Sequence, residues 1–175
     1  DPDFCEGHYL EKNTVPRRGL MLARMLGHIT YLSDDSMRDK FGRELREGKL
    51  NFGFDVDFQV ESYLRYQGRA FVDRFDANTY LRIIDAWQSV DLMADAGVQS
   101  YKDLFAPCGH QKYLLFTIDS DVCFYPEEQR ELVRYLDLAD VPYRWITVHS
   151  DKGHDSFLLE PDLYAPHLVA TLEGY

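Results

Sequence analysis

The sequence has no long apolar run. None of its stretches approaches the roughly 20 consecutive apolar residues that span a bilayer, which argues against a membrane-spanning helix. Basic residues are scarce: 19 Lys and Arg stand against 30 Asp and Glu, for a formal net charge of -11. Such a surface repels nucleic acid and anionic membranes, so neither is an expected partner; its plain use is solubility. There are three cysteines, Cys5, Cys108 and Cys123, an odd count with no CxxC pair. That excludes a disulfide framework and a structural zinc site, and it predicts a reducing, cytoplasmic compartment. No metal site is read, and no cofactor motif. The chain opens Asp1-Pro2-Asp3-Phe4 with neither Met nor a basic signal region, the start expected of a cleaved or excised segment. Repeats and low-complexity segments are missing too.

What is present is a globular composition, 45% hydrophobic and 14% aromatic, in a length that can bury one real core. Up to about residue 100 the pattern is helical. Leu22, Met25, Leu26 and Ile29 recur at helical spacing and predict a helix over Leu20–Leu32. Ser33-Asp34-Asp35 offers caps for a second helix, Ser36–Leu45. Val60, Tyr63 and Leu64 predict a helix over Phe58–Tyr66, interrupted at Gly68 and resumed over Arg69–Arg74. Asp76 or Asn78 can cap a further helix, Thr79–Trp87. Ser89 to Ala106 reads as looser.

The second part changes period. Lys112–Ile118 is a short, nearly continuous apolar run rich in β-formers, the mark of a parallel strand buried on both faces. Pro126–Leu138 reads as a helix, with Pro at its start and Glu127 and Glu128 near the positive end of its dipole. Tyr143–His149 is a second strand and Pro161–Glu173 a closing helix. Strand–helix–strand–helix is a βαβ arrangement. Two strands make too small a sheet to stand alone, so residues 107–175 read as the end of a larger α/β core, and 1–106 as a helical region of its own.

Ligands of open parallel sheets lie beyond the carboxyl ends of the strands. Asp119-Ser120-Asp121 follows the first strand; His149-Ser150-Asp151-Lys152-Gly153-His154-Asp155 follows the second. An Asp and a His on neighbouring loops can make the acid–base half of a nucleophilic triad: the carboxylate orients the imidazole, which takes a proton from a nucleophile. As a bare loop pair this is a weak signal, because both residue types favour surface turns.

Longer segments sharpen it. Gly153-His154-Asp155-Ser156-Phe157-Leu158-Leu159-Glu160 resembles the catalytic-histidine segment of the homoserine O-acyltransferases, a family of α/β-hydrolase fold. Asp121-Val122-Cys123-Phe124-Tyr125-Pro126 resembles their catalytic-aspartate segment. Arg18-Gly19-Leu20, the stretch from Ala23 to Ser33, Phe41-Gly42-Arg43-Glu44-Leu45, the stretch from Phe58 to Gly68 and that from Arg74 to Leu81 are similar to their helical lid. The resemblance implies the carboxyl-terminal part of an α/β hydrolase, lid plus last two strands. It implies acyl transfer from acyl-CoA to the hydroxyl of L-homoserine through an acyl-serine, in methionine biosynthesis. Asp121 then matches the triad acid and His154 the base, leaving Asp119 and His149 as alternatives. Arg24 matches a lid arginine for the substrate carboxylate, and Asp155 an acid for its amino group. A homodimer through lid helices is implied too. Of the other histidines, His28 reads as packed on a helix, and His8, His110 and His167 as surface residues.

The nucleophile is the gap. No serine stands in a G-x-S-x-G elbow. The expected partner is therefore a missing amino-terminal half, and the chain is expected to be inactive alone. Succinyl-specific members tend to carry an arginine two residues after the catalytic Asp. Here that position is Cys123, which favours acetyl-CoA as co-substrate, since one charge-assisted pair is worth roughly 1.5–3 kcal/mol. The alternatives are a homoserine O-succinyltransferase, a truncated non-catalytic binding or dimerisation module, and, more weakly, an ester hydrolase.

Overall fold

A computed structural model describes residues 1–174. It contains two compact units, one formed by residues 1–29 and 37–90, the other by residues 30–36 and those from Asp91 onward.

The first unit is helical. It holds most of α1 (Arg17–Tyr31) and α2 (Asp34–Phe41), with α3 (Gln59–Val72) and α4 (Ala77–Gln88). Its core is Leu20 of α1 against Phe71 and Val72 of α3, with Met21, Phe75, Ala77 and Tyr80 packed around them. The Phe71 and Phe75 rings stack at 4.9 Å, and Tyr80 meets both edge-on. The expected break at Gly68 does not occur: α3 runs through it. A mid-helix glycine weakens a helix by roughly 1 kcal/mol relative to alanine, but tertiary packing overrides that preference. Gly68 lies on the backbone of α1, where a Cβ would stand 3.1 Å from the Met21 carbonyl oxygen. The missing side chain is what lets the two helices approach.

The second helix is also shorter than expected. It starts at Asp34 and ends at Phe41, where Gly42 takes a left-handed φ of 48°. Leu45 then bridges to Phe58, so residues 42–58 close into a loop. Of the two candidate caps for α4, Asp76 is the one used, accepting the Thr79 amide at 2.7 Å. Asn78 instead donates to the Gly7 carbonyl at 2.8 Å and ties down the amino-terminal segment. The buried Tyr9 hydroxyl donates to Asp76 and accepts the Asn78 amide.

The second unit begins with two short helices, α5 (Leu92–Ala96) and α6 (Tyr101–Phe105). They are capped by Asp91 and Ser100 in a stretch that sequence left as looser. Both helices fall in the second compact unit. The reason is packing: Tyr101 stacks on Tyr135, and Phe105 joins the core beneath the sheet.

That sheet is β1 (Tyr113–Ile118) and β2 (Tyr143–Val148), parallel and paired from Tyr113↔Tyr143 to Ile118↔Val148. The crossover between them is α7 (Pro126–Leu138), bounded as its Pro and acidic first turn predict. Strand alternation sorts the side chains. Leu115 packs with Val133 and Leu136 of α7 and with Val141, joined by Tyr113, Tyr143 and Trp145; Ile118 and Val148 pack with Tyr164, joined by Phe116 and Ile146. Both faces are covered, as parallel strands require. The closing helix is divided: a 3-10 turn, Pro161–Leu163, precedes α9 (Ala165–Glu173), with a short α8 (Ser156–Leu159) before both. Pro166 in the first turn of α9 has no amide to donate, so the helix starts afresh after Tyr164, which turns inward.

Two predictions follow from the first unit. Gly68→Val overpacks the α1–α3 contact and lowers unfolding stability by about 1–3 kcal/mol, read from urea denaturation; an unchanged midpoint contradicts the close approach. The Tyr9 hydroxyl, and after it the Thr79 amide, hold the Asp76 carboxyl below the usual carboxylate range. A depressed carboxyl stabilises the fold at neutral pH and loses that contribution as pH falls through its folded value. Asp76→Asn should therefore lower stability at pH 7 and flatten its decline below roughly pH 4, the ordinary carboxylate range. A parallel shift of the whole curve would contradict this.

Candidate active site

The ladder ends where the chemistry begins. One hydrogen bond past the last register pair, from the Asp119 amide to the Val148 carbonyl at 3.1 Å, the loops leave the sheet side by side. Two Asp–His contacts form between them, one from Asp121 and His154 and one from the alternatives Asp119 and His149. Asp119 Oδ2 lies 2.7 Å from His149 Nδ1, and its Oδ1 accepts the Ser150 amide at 3.1 Å. Asp121 Oδ2 lies 2.9 Å from His154 Nδ1. Its Oδ1 accepts the amides of Cys123 and Phe124 at 2.8 and 2.9 Å.

Burial separates them. The side chains of Asp119 and His149 are 44% and 83% exposed; those of Asp121 and His154 are 6% and 25% exposed. The outer pair sits in water, where such contacts contribute little. Burial pushes the Asp119 carboxyl up, but the His149 and Ser150 bonds outweigh it and hold the group below its usual range.

In the inner pair the carboxylate faces Nδ1, so Nδ1 carries the proton and Nε2 is the basic nitrogen. The His154 ring is framed by Phe124 at 5.1 Å, Phe157 at 5.5 Å and Tyr31 at 6.1 Å between centroids. A cavity of about 500 Å³, lined mainly by apolar groups such as Phe116, Phe157 and Tyr164, opens beside His154 and Asp121. The imidazole is thereby held in one tautomer and orientation, the arrangement that taking a proton from a hydroxyl requires.

Three serines, which sequence reasoning weighed only as nucleophiles, build this loop. Ser120 Oγ donates to the Ser150 carbonyl and accepts the Gly153 amide at 3.0 Å. Ser150 Oγ donates to Glu160 and accepts the Lys152 amide. Ser156, fully buried, donates to Glu160 and accepts the Tyr164 hydroxyl at 2.9 Å. Each hydroxyl is satisfied in both directions. The signal for them was small hydroxyl residues clustered within two polar loops at the strand ends.

Asp155 follows His154 directly. Its carboxylate acts on Cys123: burial, then Asp121, then Asp155 raise that thiol, against a lowering hydrogen bond from Thr30. The Cys123 thiol is neutral at physiological pH. Asp121, His154 and Asp155 are thus brought together. Arg24 belongs to the first unit, where its guanidinium lies 5.2 Å from the centre of the Phe71 ring. His28, also there, is buried on α1 with Nδ1 3.3 Å from the Tyr63 hydroxyl. Among the described residues no three His, Cys, Asp or Glu side chains gather as metal ligands, and no helix is long and apolar enough to cross a membrane.

No family model matches the chain. It is 51% identical over 178 residues to the homoserine O-succinyltransferase of Alkalilimnicola ehrlichii, covering 99% of this chain and 45% of that protein. The homoserine O-succinyltransferase of Halothiobacillus neapolitanus is also 51% identical, over 100% of this chain and 42% of its own length. Among solved structures, homoserine O-acetyltransferase from Bacillus anthracis superposes with a TM-score of 0.82 at 17% identity, over 96% of this chain and 44% of that one. Esterase E22 superposes with a TM-score of 0.72 at 19% identity, over 90% and 42%. At these identities the two show the fold alone, that of the α/β hydrolases. The chain spans less than half the length of the relatives it matches.

The raised Cys123 thiol is directly measurable. Its alkylation rate, followed by peptide mass, should keep rising beyond pH 9, the ordinary thiol value; a plateau below that would contradict the combined effect of burial and the Asp121 and Asp155 charges.

Proposed function

The chain belongs to the homoserine O-acyltransferase family, and from that premise we propose that Asp121 and His154 are the acid–base half of its acyl-transfer site. One observation carries the proposal: the buried 2.9 Å contact between Asp121 and His154 at the carboxyl ends of paired parallel strands. His154 Nε2 takes the proton of a serine hydroxyl as that oxygen attacks the acyl-CoA thioester. The proton passes to the departing CoA thiolate, leaving an acyl-serine. His154 then takes the proton of the homoserine hydroxyl as that oxygen attacks the ester, and the imidazolium returns the proton to the departing serine oxygen. Asp121 stabilises the imidazolium in both halves. The serine is supplied by that part of the relatives' length which this chain does not span. No metal or cofactor enters these steps; acyl-CoA is a co-substrate. Asp155, next to His154, receives the ammonium of homoserine. A role for Arg24 toward the substrate carboxylate rests on the resemblance alone.

Two observations bear on the donor. The relatives at 51% identity are named succinyltransferases, which supports succinyl-CoA. The neutral thiol of Cys123, between two carboxylates, offers a succinyl group no cationic partner and supports acetyl-CoA. We take succinyl-CoA as the donor, because identity across the whole chain outweighs one position, at which another residue can supply the charge.

The test is a homoserine acylation assay on an active preparation containing this chain. Asp121→Asn puts a donor opposite Nδ1 and favours the wrong tautomer, so kcat should fall about 10³–10⁴-fold, and His154→Ala comparably. Asp119→Asn should stay within a few-fold of wild type. Equal losses at Asp119 and Asp121 would sink the assignment. A higher kcat/KM with acetyl-CoA than with succinyl-CoA reverses the donor. Robust turnover by the 175 residues alone would refute a serine supplied from elsewhere.

A further inference from the structure

The loop bearing His154 has a second support, from the corner between α1 and α2. Residues 30–36 belong to the same compact unit as that loop. The buried Ser33 Oγ donates to the Asp151 carbonyl. The same oxygen accepts the Ser36 amide at 3.0 Å, the capping bond of α2. One hydroxyl therefore joins the start of a helix to the strand-end loop three residues before His154. Gly153 lies flat on the same corner, with φ 69°. A Cβ there would stand 2.6 Å from the Ser33 nitrogen, 2.8 Å from the Leu32 carbonyl carbon and 3.0 Å from the Tyr31 oxygen, so only backbone fits. On its other side the Gly153 amide donates to Ser120. The residue before His154 is thus held between the corner and the β1 loop, and Tyr31 of the corner faces the His154 ring.

We propose that Ser33 is a positioning residue for His154, setting through the Asp151 carbonyl and Gly153 the place from which the imidazole meets Asp121. It touches neither imidazole nor carboxylate. Its effect is to fix the backbone from which both the 2.9 Å hydrogen bond and the direction of Nε2 follow. Without the hydroxyl, the Asp151 carbonyl loses this partner and the loop loses its hydrogen bond to the α1–α2 corner. A displacement of about 1 Å at a general base can cost up to roughly 100-fold in rate. Because Ser33 also caps α2, the orientation of the base is coupled to the folding of that helix.

The proposal rests on the acyl-transfer reading only where turnover is the readout; the geometry has its own. In the active protein, Ser33→Ala should lower kcat about 10–100-fold, within the range that misplacement produces, while KM for homoserine changes less than threefold. Ser33→Thr, which keeps the hydroxyl, should recover most of the loss. Gly153→Ala should behave like Ser33→Ala or worse. Independently of turnover, the His154 Nδ1 proton should give a downfield proton NMR resonance, assigned by its loss in Asp121→Asn. That resonance should shift or broaden in Ser33→Ala and return in Ser33→Thr. A Ser33→Ala protein with wild-type kcat and an unchanged resonance overturns the proposal, as does a variant that loses only thermal stability. If His154→Ala retains full turnover, the acyl-transfer reading fails, and the resonance in Ser33→Ala still decides whether Ser33 positions the pair.

Discussion

A buried carboxylate must have its charge answered, and Asp121 is answered by two backbone amides and an imidazole. An uncompensated buried charge costs several kcal/mol, so the loop after β1 and the loop after β2 are obliged to meet there. The Cys123 and Phe124 amides curl the first loop back on its own aspartate. The imidazole brings in the second. Around this contact, Ser120, Ser150, Ser156 and Glu160 are arranged so that polar groups near it are paired. The imidazole keeps its orientation because moving it would leave Asp121 Oδ2 without its partner.

The same loops hold a second Asp–His pair with good geometry, Asp119 and His149, and the contrast is instructive. Hydrogen-bond distance does not tell the two apart; solvent does. A carboxylate–imidazole contact open to water is screened and exchanges with solvent, whereas one beneath aromatic rings keeps its tautomer. A base is defined here by what surrounds its hydrogen bond more than by the bond itself.

Much of the fold was legible in sequence because local signals agreed with packing. The ends of α7 follow from Pro126, Glu127 and Glu128, and β1 from an apolar run too short for a helix. Gly68 was misread because its local cost is visible in sequence while its compensation, the approach of Met21, comes from a residue 47 positions away. The shortening of α2 and the renewed start of α9 likewise depend on Gly42 and on the inward turn of Tyr164. Asp121 is favoured over Asp119 by the segment that follows it, through the spacing of Phe124 and Pro126. The serine network was hidden because a hydroxyl's partners are a property of the folded loop; Ser120 and Ser150 look like turn residues until Gly153 and Glu160 are beside them.

The in-register pairing of β1 with β2 has a consequence for error. Strand residues advance by about 3.3 Å, so a slip of one position would carry the histidine loop that far from its carboxylate. The same slip would also exchange the faces of Val148 and Trp145, which pack in different clusters, and so disrupt the packing on both sides of the sheet. Misalignment of the two strand-end loops is thereby tied to disrupted packing of the apolar clusters. A population of well-folded but poorly aligned molecules has no stable structure to occupy, and the hydrophobic faces act as a proofreading step for the placement of the base.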